Sequence, residues 1–209
     1  MLSLPLLAIL SACGSSSESD IENLQGRALA ADNMVEELRG LSPTSKSRMP
    51  TTGAAQFNGY SAVVIDPIAS LEIDDILLLG DTTIQVTFAG AGTVTGQADN
   101  FAGIVGSGTV SQLASTSGVI QIGNLDSSIG QGRPANEWEA NYAGTLHVDG
   151  VNYQITGTLD GGFLGNAVNK PAPESFIKGI AGSDFDGIAT TGGGSIAPVG
   201  FEVGATNPL

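Results

Sequence analysis

Catalysis needs nucleophiles, acids and bases, or ligating atoms brought together, and this sequence supplies few of them. His147 is the only histidine and Cys13 the only cysteine. His147 alternates with Leu146 and Val148 along a strand-like run, so it falls on the polar face, and no nucleophile motif stands near it to complete a Ser-His-Asp relay. Glu137 and Glu139 flank Trp138. Paired carboxylates serve glycoside hydrolysis, but this spacing turns both away from the Trp138 face and reads as a solvated strand entrance. Asp184-Phe185-Asp186-Gly187 and Asp74-Asp75 offer oxygens to calcium without the further donors and distal Glu of an EF-hand. Gly192-Gly193-Gly194 lacks the Lys-Ser/Thr of a phosphate loop and reads as a flexible turn. One cysteine allows neither an internal disulfide nor a Cys-based metal site. The expectation is a chain with no catalytic residue, no metal site and no cofactor.

The remaining chemistry is that of Cys13 itself. Met1 to Ala12 reads MLSLPLLAILSA, an apolar run with the length of a signal-peptide core that ends in small residues. It is much shorter than the roughly 20 residues that span a bilayer as a helix. Leu10-Ser11-Ala12-Cys13 resembles the bacterial lipobox, in which cleavage precedes the cysteine. That resemblance implies diacylglycerol on the Cys13 sulfur and an acyl chain such as palmitate on its new amine, enough chains for stable membrane anchoring. No Lys or Arg precedes Cys13, so the expected true start lies upstream of Met1. Gly14 follows the cysteine in place of the Asp that retains lipoproteins at the inner membrane, which favours the outer membrane and allows the cell surface. Ser15 to Ser17 form a short tether.

Composition narrows the partners. The net charge is −14, and after Pro50 three basic residues (Arg133, Lys170, Lys178) face 15 acidic ones. No basic patch follows a phosphate backbone, so nucleic acid is not an expected partner. With 41% hydrophobic and 13% charged residues and 30 glycines, the chain suits a turn-rich β protein.

Two elements must position whatever the chain presents. Ile21, Leu24, Ala28, Ala31, Val35 and Leu38 recur at steps of three and four, which predicts a helix over 19–39 with Gly40 at its end. The seam is short for a stable coiled coil, so the helix is expected to pack on the barrel or act as a spacer, with an oligomerisation device as the alternative. Residues 42–50 read as a linker. From Thr51 the period changes to two. Ile84, Val86 and Phe88 alternate with polar residues; a three-residue loop ending in a left-handed Gly92 would set Phe88 opposite Val94, Val86 opposite Gly96 and Ile84 opposite Ala98. Asp149-Gly150 is a two-residue type I′ turn that pairs Val148 with Val151, Leu146 with Tyr153 and Gly144 with Ile155. Further strand candidates at 54–65, 74–79, 117–123, 157–165 and 175–182 bring the total to eight or nine short strands. The predicted fold is all-β: a small antiparallel β-barrel of about eight strands, with an open sandwich as the alternative, preceded by a lipoprotein signal and a short N-terminal helix. The predicted divisions are 1–12 signal, 13–50 lipidated Cys, tether and helix, 51–190 barrel, and 191–209 a Gly-rich C-terminal segment.

Three segments carry a family likeness: MPTTGAAQFNGY at 49–60, TTIQVTFAGAGTVTGQ at 82–97, and YQITGTLDGGFLGNAV at 153–168 followed by FIKGIAG at 176–182. Over roughly 49–187 the chain resembles the barrel domain of transferrin-binding protein B and the related solute-binding lipoproteins. The resemblance implies an eight-stranded barrel filled by side chains. It carries over no contact residue, because the family's handle domain, second lobe and contact loops have no counterpart here.

The functional expectation is an outer-membrane lipoprotein whose barrel presents loops to a protein or solute ligand, without catalysis; the alternative is a structural cell-envelope lipoprotein with no specific ligand. Segments 99–116 and 124–137 read as the long loops. Asn124, Asp126 and the exposed basic spot at Arg133 within the second, and Trp138 immediately after it, are the candidate contact residues.

Overall fold

The structure, a computed structural model, describes residues 18–66, 75–107, 110–165 and 177–207. Helix α1 (Glu18–Arg39) is followed by a two-residue strand β1 (Ser42–Pro43), a 3-10 turn (Lys46–Arg48), and the strands β2 (Ala54–Ile65), β3 (Ile76–Thr87), β4 (Thr93–Ser107), β5 (Val110–Leu113), β6 (Thr116–Ile129), β7 (Glu137–Val148), β8 (Val151–Gly165), β9 (Ile177–Thr191) and β10 (Ile196–Thr206). Eight strands close into an antiparallel barrel in the order β2, β3, β4, β6, β7, β8, β9, β10, with β10 returning to β2. Closure leaves no open edge on the barrel. β5 folds back on β4, and β1 pairs with the last residues of β8. One end, here the upper, holds the β2–β3, β7–β8 and β9–β10 connections; the lower end holds β3–β4, β6–β7 and β8–β9.

Side chains fill the interior. Phe57, Ile84, Ile120, Trp138, Tyr142, Leu146, Ile155, Phe163 and Phe201 are all buried in one cluster. An eight-stranded barrel is just wide enough for such filling, so the inside is a core and not a pore. The lower end is crossed by the chain after the helix: Thr44 N–H donates to the Phe163 carbonyl (2.8 Å), Phe88 N–H donates to the Gly53 carbonyl (2.9 Å), and Met49 packs against the core. Residues 42–50 are therefore a structured crossing and not merely a linker.

The Asp149-Gly150 hairpin has the predicted register, Val148 with Val151, Leu146 with Tyr153 and Gly144 with Ile155, and both turn residues have positive φ (46° and 86°) as a type I′ turn requires. The other hairpin differs by two residues: Val86 pairs with Val94, Ile84 with Gly96 and Thr82 with Ala98. Phe88 leaves the ladder because its N–H is taken by Gly53, so the loop widens to 88–92. Gly92 is left-handed as expected (φ 65°), and a shift of two keeps the apolar residues inside.

The strands are longer than predicted, because glycines that read as breaks lie within them. Gly80 sits mid-strand in β3, where a Cβ would collide with the Phe101 ring. It makes room for an aromatic neighbour and does not turn the chain. Segments 99–107 and 124–129 are strand, so only 130–136 remains a loop of the predicted 124–137, and the predicted 99–116 loop is the upper end of β4 folding back through β5. The boundary at 190 also fails. In β10, Ala197, Val199, Phe201, Val203 and Ala205 are buried in alternation, and this strand closes the barrel. Its apolar phase was hidden by Pro198, Gly200 and Gly204 on the outer face.

Candidate functional site

The predicted contact residues separate into different environments. Asn124 and Asp126 belong to an irregularity in β6. Ile122 pairs with Tyr142 and Ser127 with Ala140, so residues 123–126 stand opposite the single Asn141. Extra residues on one strand of a pair buckle outward. Gly123 turns the chain at φ 71°, and Ser127 Oγ accepts from Val94 N–H (3.2 Å) to rejoin β6 to β4. The knuckle between them presents Asn124, Leu125 and Asp126, all exposed, and Leu125 at 81% exposure is the most exposed large apolar side chain among the described residues.

Arg133 is not the exposed basic spot the sequence suggested. Loop 130–136 folds it back across the barrel's outer face, where it donates to Asp160 Oδ1 (2.5 Å), Glu139 Oε2 (2.5 Å) and the Trp138 carbonyl (3.3 Å). Glu139 and Asp160 are directly opposed residues of β7 and β8. Like charges in that position repel, and one guanidinium lying across them offsets the repulsion. The hydrogen bond that Arg133 donates to Asp160, with the charge of Glu139, raises the guanidinium further above its ordinary value. Its positive charge is spent on the fold.

Trp138 is fully buried inside the barrel and cannot meet a ligand at the surface. Alternation placed it correctly opposite Glu137 and Glu139; the inward direction of that face was set by closure. Its indole occupies the space left by Gly161 and Gly182, where any Cβ would overlap the ring. Trp138 Nε1, Ser61 Oγ and Thr82 Oγ1 are buried inside without a hydrogen-bond partner in the protein.

A polar contact unforeseen in the sequence joins β7, β8 and β9. β9 bulges between Asp184 and Gly187 against both neighbours. Asp184 turns into the gap: Oδ2 accepts from Tyr142 O–H (2.8 Å) and Thr158 N–H (3.1 Å), and Oδ1 accepts from Asp186 N–H (2.9 Å). Tyr142 stacks edge-on against Phe201, centroids 4.7 Å apart. Burial first, then the hydrogen bond to Asp184, pushes the Tyr142 phenol far above its ordinary value. The signal was present in the doubled acid of Asp184-Phe185-Asp186, which breaks the alternation of β9. The Asp184 oxygens offered to calcium are engaged by these donors, while Asp74 lies outside the described residues. Among those residues no group of three or more His, Cys, Asp or Glu converges as a metal site.

The outer face of β7 and β8 is mostly polar, with Asn141, Thr145, His147, Asn152, Gln154, Thr156 and Thr158, and Ala143 and Leu164 among them. His147 Nδ1 is 2.7 Å from Asn152 Oδ1 and exposed, as its strand phase predicted. No helix among the described residues is long and apolar enough to cross a membrane. Cys13 lies outside the described residues, five positions ahead of the start of α1.

Comparison with family models, curated proteins and solved structures found no match.

Proposed function

We propose that the chain is a lipoprotein of the bacterial outer membrane, anchored through Cys13, whose barrel is a non-catalytic binding module that meets a protein or solute partner at the β6 knuckle. The observation that carries the reading is the exposure of Leu125 between Asn124 and Asp126 on a barrel whose interior is occupied by its own side chains. With the inside filled, a ligand is met on the outer surface, and an apolar residue held out between two hydrogen-bonding ones suits the contact region of a protein partner. The likeness of segments 49–60, 82–97 and 153–168 to transferrin-binding protein B-like lipoproteins agrees with this reading. A spanning outer-membrane barrel is disfavoured, because it needs an apolar outer band on every strand and β7 and β8 are mostly polar outside.

Two measurements test it. A photo-crosslinking residue at position 125, in cells making the full chain, is expected to yield a discrete adduct that the same residue at position 147 does not. Equal labelling at both positions, or none, removes the knuckle as a contact and favours a structural envelope lipoprotein. Cys13→Ser is expected to move the protein from the membrane fraction to the soluble one; retention in the membrane refutes the anchor.

A further inference from the structure

The knuckle in β6 is held at both ends by one residue of β4. β6 pairs with β4 through Ala98 with Ile120, Gln97 with Gln121 and Gly96 with Ile122. The same register, continued, would set Asn124 opposite Val94 and place its backbone in the ladder. Instead β6 leaves the sheet at Gly123 and returns at Ser127, whose pairing with Ala140 restores the ladder with β7. Both polar backbone groups of Val94 face this excursion. A Cβ on Gly123 would overlap the Val94 carbonyl oxygen, so only glycine passes there, and it does so with φ 71°. The Val94 N–H donates to Ser127 Oγ (3.2 Å), a side chain standing in for the ladder partner that Asn124 would have been.

Between these pins lie Asn124, Leu125 and Asp126, all exposed, and Asn124 Nδ2 donates to Gln121 Oε1 (3.3 Å). A short loop clamped at both ends has few conformations left to lose, so holding it in a contact costs little. Its shape is convex. Small-molecule sites are concave and enclose most of their ligand, whereas a projecting Leu125 encloses nothing. An apolar side chain held out on a rigid knob is the half of an interface that fills a pocket on another protein.

We propose that residues 124–126 form a recognition loop of fixed shape that inserts Leu125 into an apolar socket of a protein partner, and that Gly123 and Ser127 are the positioning residues that fix it. The inference rests on the knuckle contact proposed above and deepens it by committing the occupant to a protein. Ser127 acts through its hydroxyl. The bond from Val94 closes the loop; without it the Val94 N–H is left unpaired and the loop loses one of its two pins.

The test places a photo-crosslinking residue at position 125 of the full chain in cells. It compares Ser127→Thr, which keeps the hydroxyl, with Ser127→Val, which has the same shape without it. The adduct is expected to carry the added mass of a protein, to persist in Ser127→Thr and to fall roughly fivefold or more in Ser127→Val. Amide hydrogen exchange on the same chains without the crosslinker is a partner-free readout. The Val94 amide is expected to be protected in the parent and in Ser127→Thr and open in Ser127→Val. Ile155, laddered between β7 and β9, should stay protected in all three. Equal adduct from both variants overturns the positioning role and leaves the contact standing. An adduct with the mass of a small solute overturns the protein socket. Should Ser127→Val open Ile155 as well, the parent decides: a Val94 amide exchanging there as fast as a chain terminus means an unpinned loop and overturns the proposal. No adduct from the parent refutes the contact, and this inference with it.

Discussion

Tyr142 donates a 2.8 Å hydrogen bond to Asp184, joining β7 to the bulge of β9 through the inside of the barrel. The two strands are not neighbours, since β8 lies between them. The bond ties three strands together because Asp184 also takes the Thr158 N–H of β8 that the bulge leaves out of the ladder. An unpaired buried N–H is costly, so the carboxylate serves both the bulge and the phenol.

Tyr142→Phe is expected to destabilise the barrel by about 1–2 kcal/mol at neutral pH, measured by urea unfolding. The pH dependence follows from the phenol. In the unfolded chain it ionises near its ordinary value of about 10; in the fold that value is raised by burial and by Asp184. The stabilisation is complete below about pH 10 and is lost as pH rises beyond it, at about 1.4 kcal/mol per pH unit for one proton. Tyr153, raised chiefly by burial and secondarily by Asp149, acts in the same direction. Tyr142→Phe should therefore flatten, and not abolish, the alkaline fall in urea midpoint. An unchanged slope would show that Tyr142 does not contribute to it.

Arg133→Gln leaves Glu139 and Asp160 opposed without their cation. Such partly exposed pairs contribute little individually, so a loss of about 1 kcal/mol is expected at low salt, shrinking as ionic strength screens the repulsion. Adding Glu139→Gln should recover part of the loss. A salt-independent loss in thermal melts would mean that the packing of loop 130–136, and not charge, was removed.

Gly161→Ala is expected to be among the most damaging single methyl additions, costing about 1–3 kcal/mol or preventing folding, because the new Cβ would overlap both the Trp138 ring and the Ala181 carbonyl. Gly192→Ala, in the β9–β10 turn with open space around it, should leave the melting temperature unchanged. Trp138 emission gives a second readout: a red shift in Gly161→Ala would mark an indole displaced toward water.

Leu38→Ala removes the side chain that covers Gly179 and Gly204 and is expected to loosen α1 at a cost of about 2 kcal/mol or more. Limited proteolysis should then cut within 18–39 while the barrel stays intact. Cleavage in the barrel at the same rate would show that helix and barrel unfold as one unit.

The sequence by itself determined whatever is encoded over short distances. Asp149-Gly150 sets its own hairpin register, since a two-residue turn with two positive φ angles and period-two apolar residues leaves one pairing that keeps Leu146, Tyr153 and Ile155 on one side. The 3.6-residue seam placed α1 to within a residue, and the phase of β7 put His147 outside and Trp138 opposite its two glutamates. Closure, however, is a pairing between Val199 and Ile65 or Thr206 and Asn58, residues 134 and 148 positions apart, and no local pattern announces it. That long-range pairing decided which face of each strand became the inside, and so buried Trp138. It also gave Asp184 a phenol from β7, drew Phe88 away from its hairpin to Gly53, and made the glycine-rich end of the chain the eighth strand of the barrel. Arg133 is intermediate: the opposition of Glu139 and Asp160 follows from the Asp149-Gly150 hairpin register, but the fold-back of loop 130–136 that lays Arg133 across them exists only in the tertiary structure. The knuckle at Leu125 lies between these extremes. Its loss of phase is readable, since Leu125 departs from the Ile120 and Ile122 alternation, but its exposure results from β7 supplying one residue where β6 supplies four.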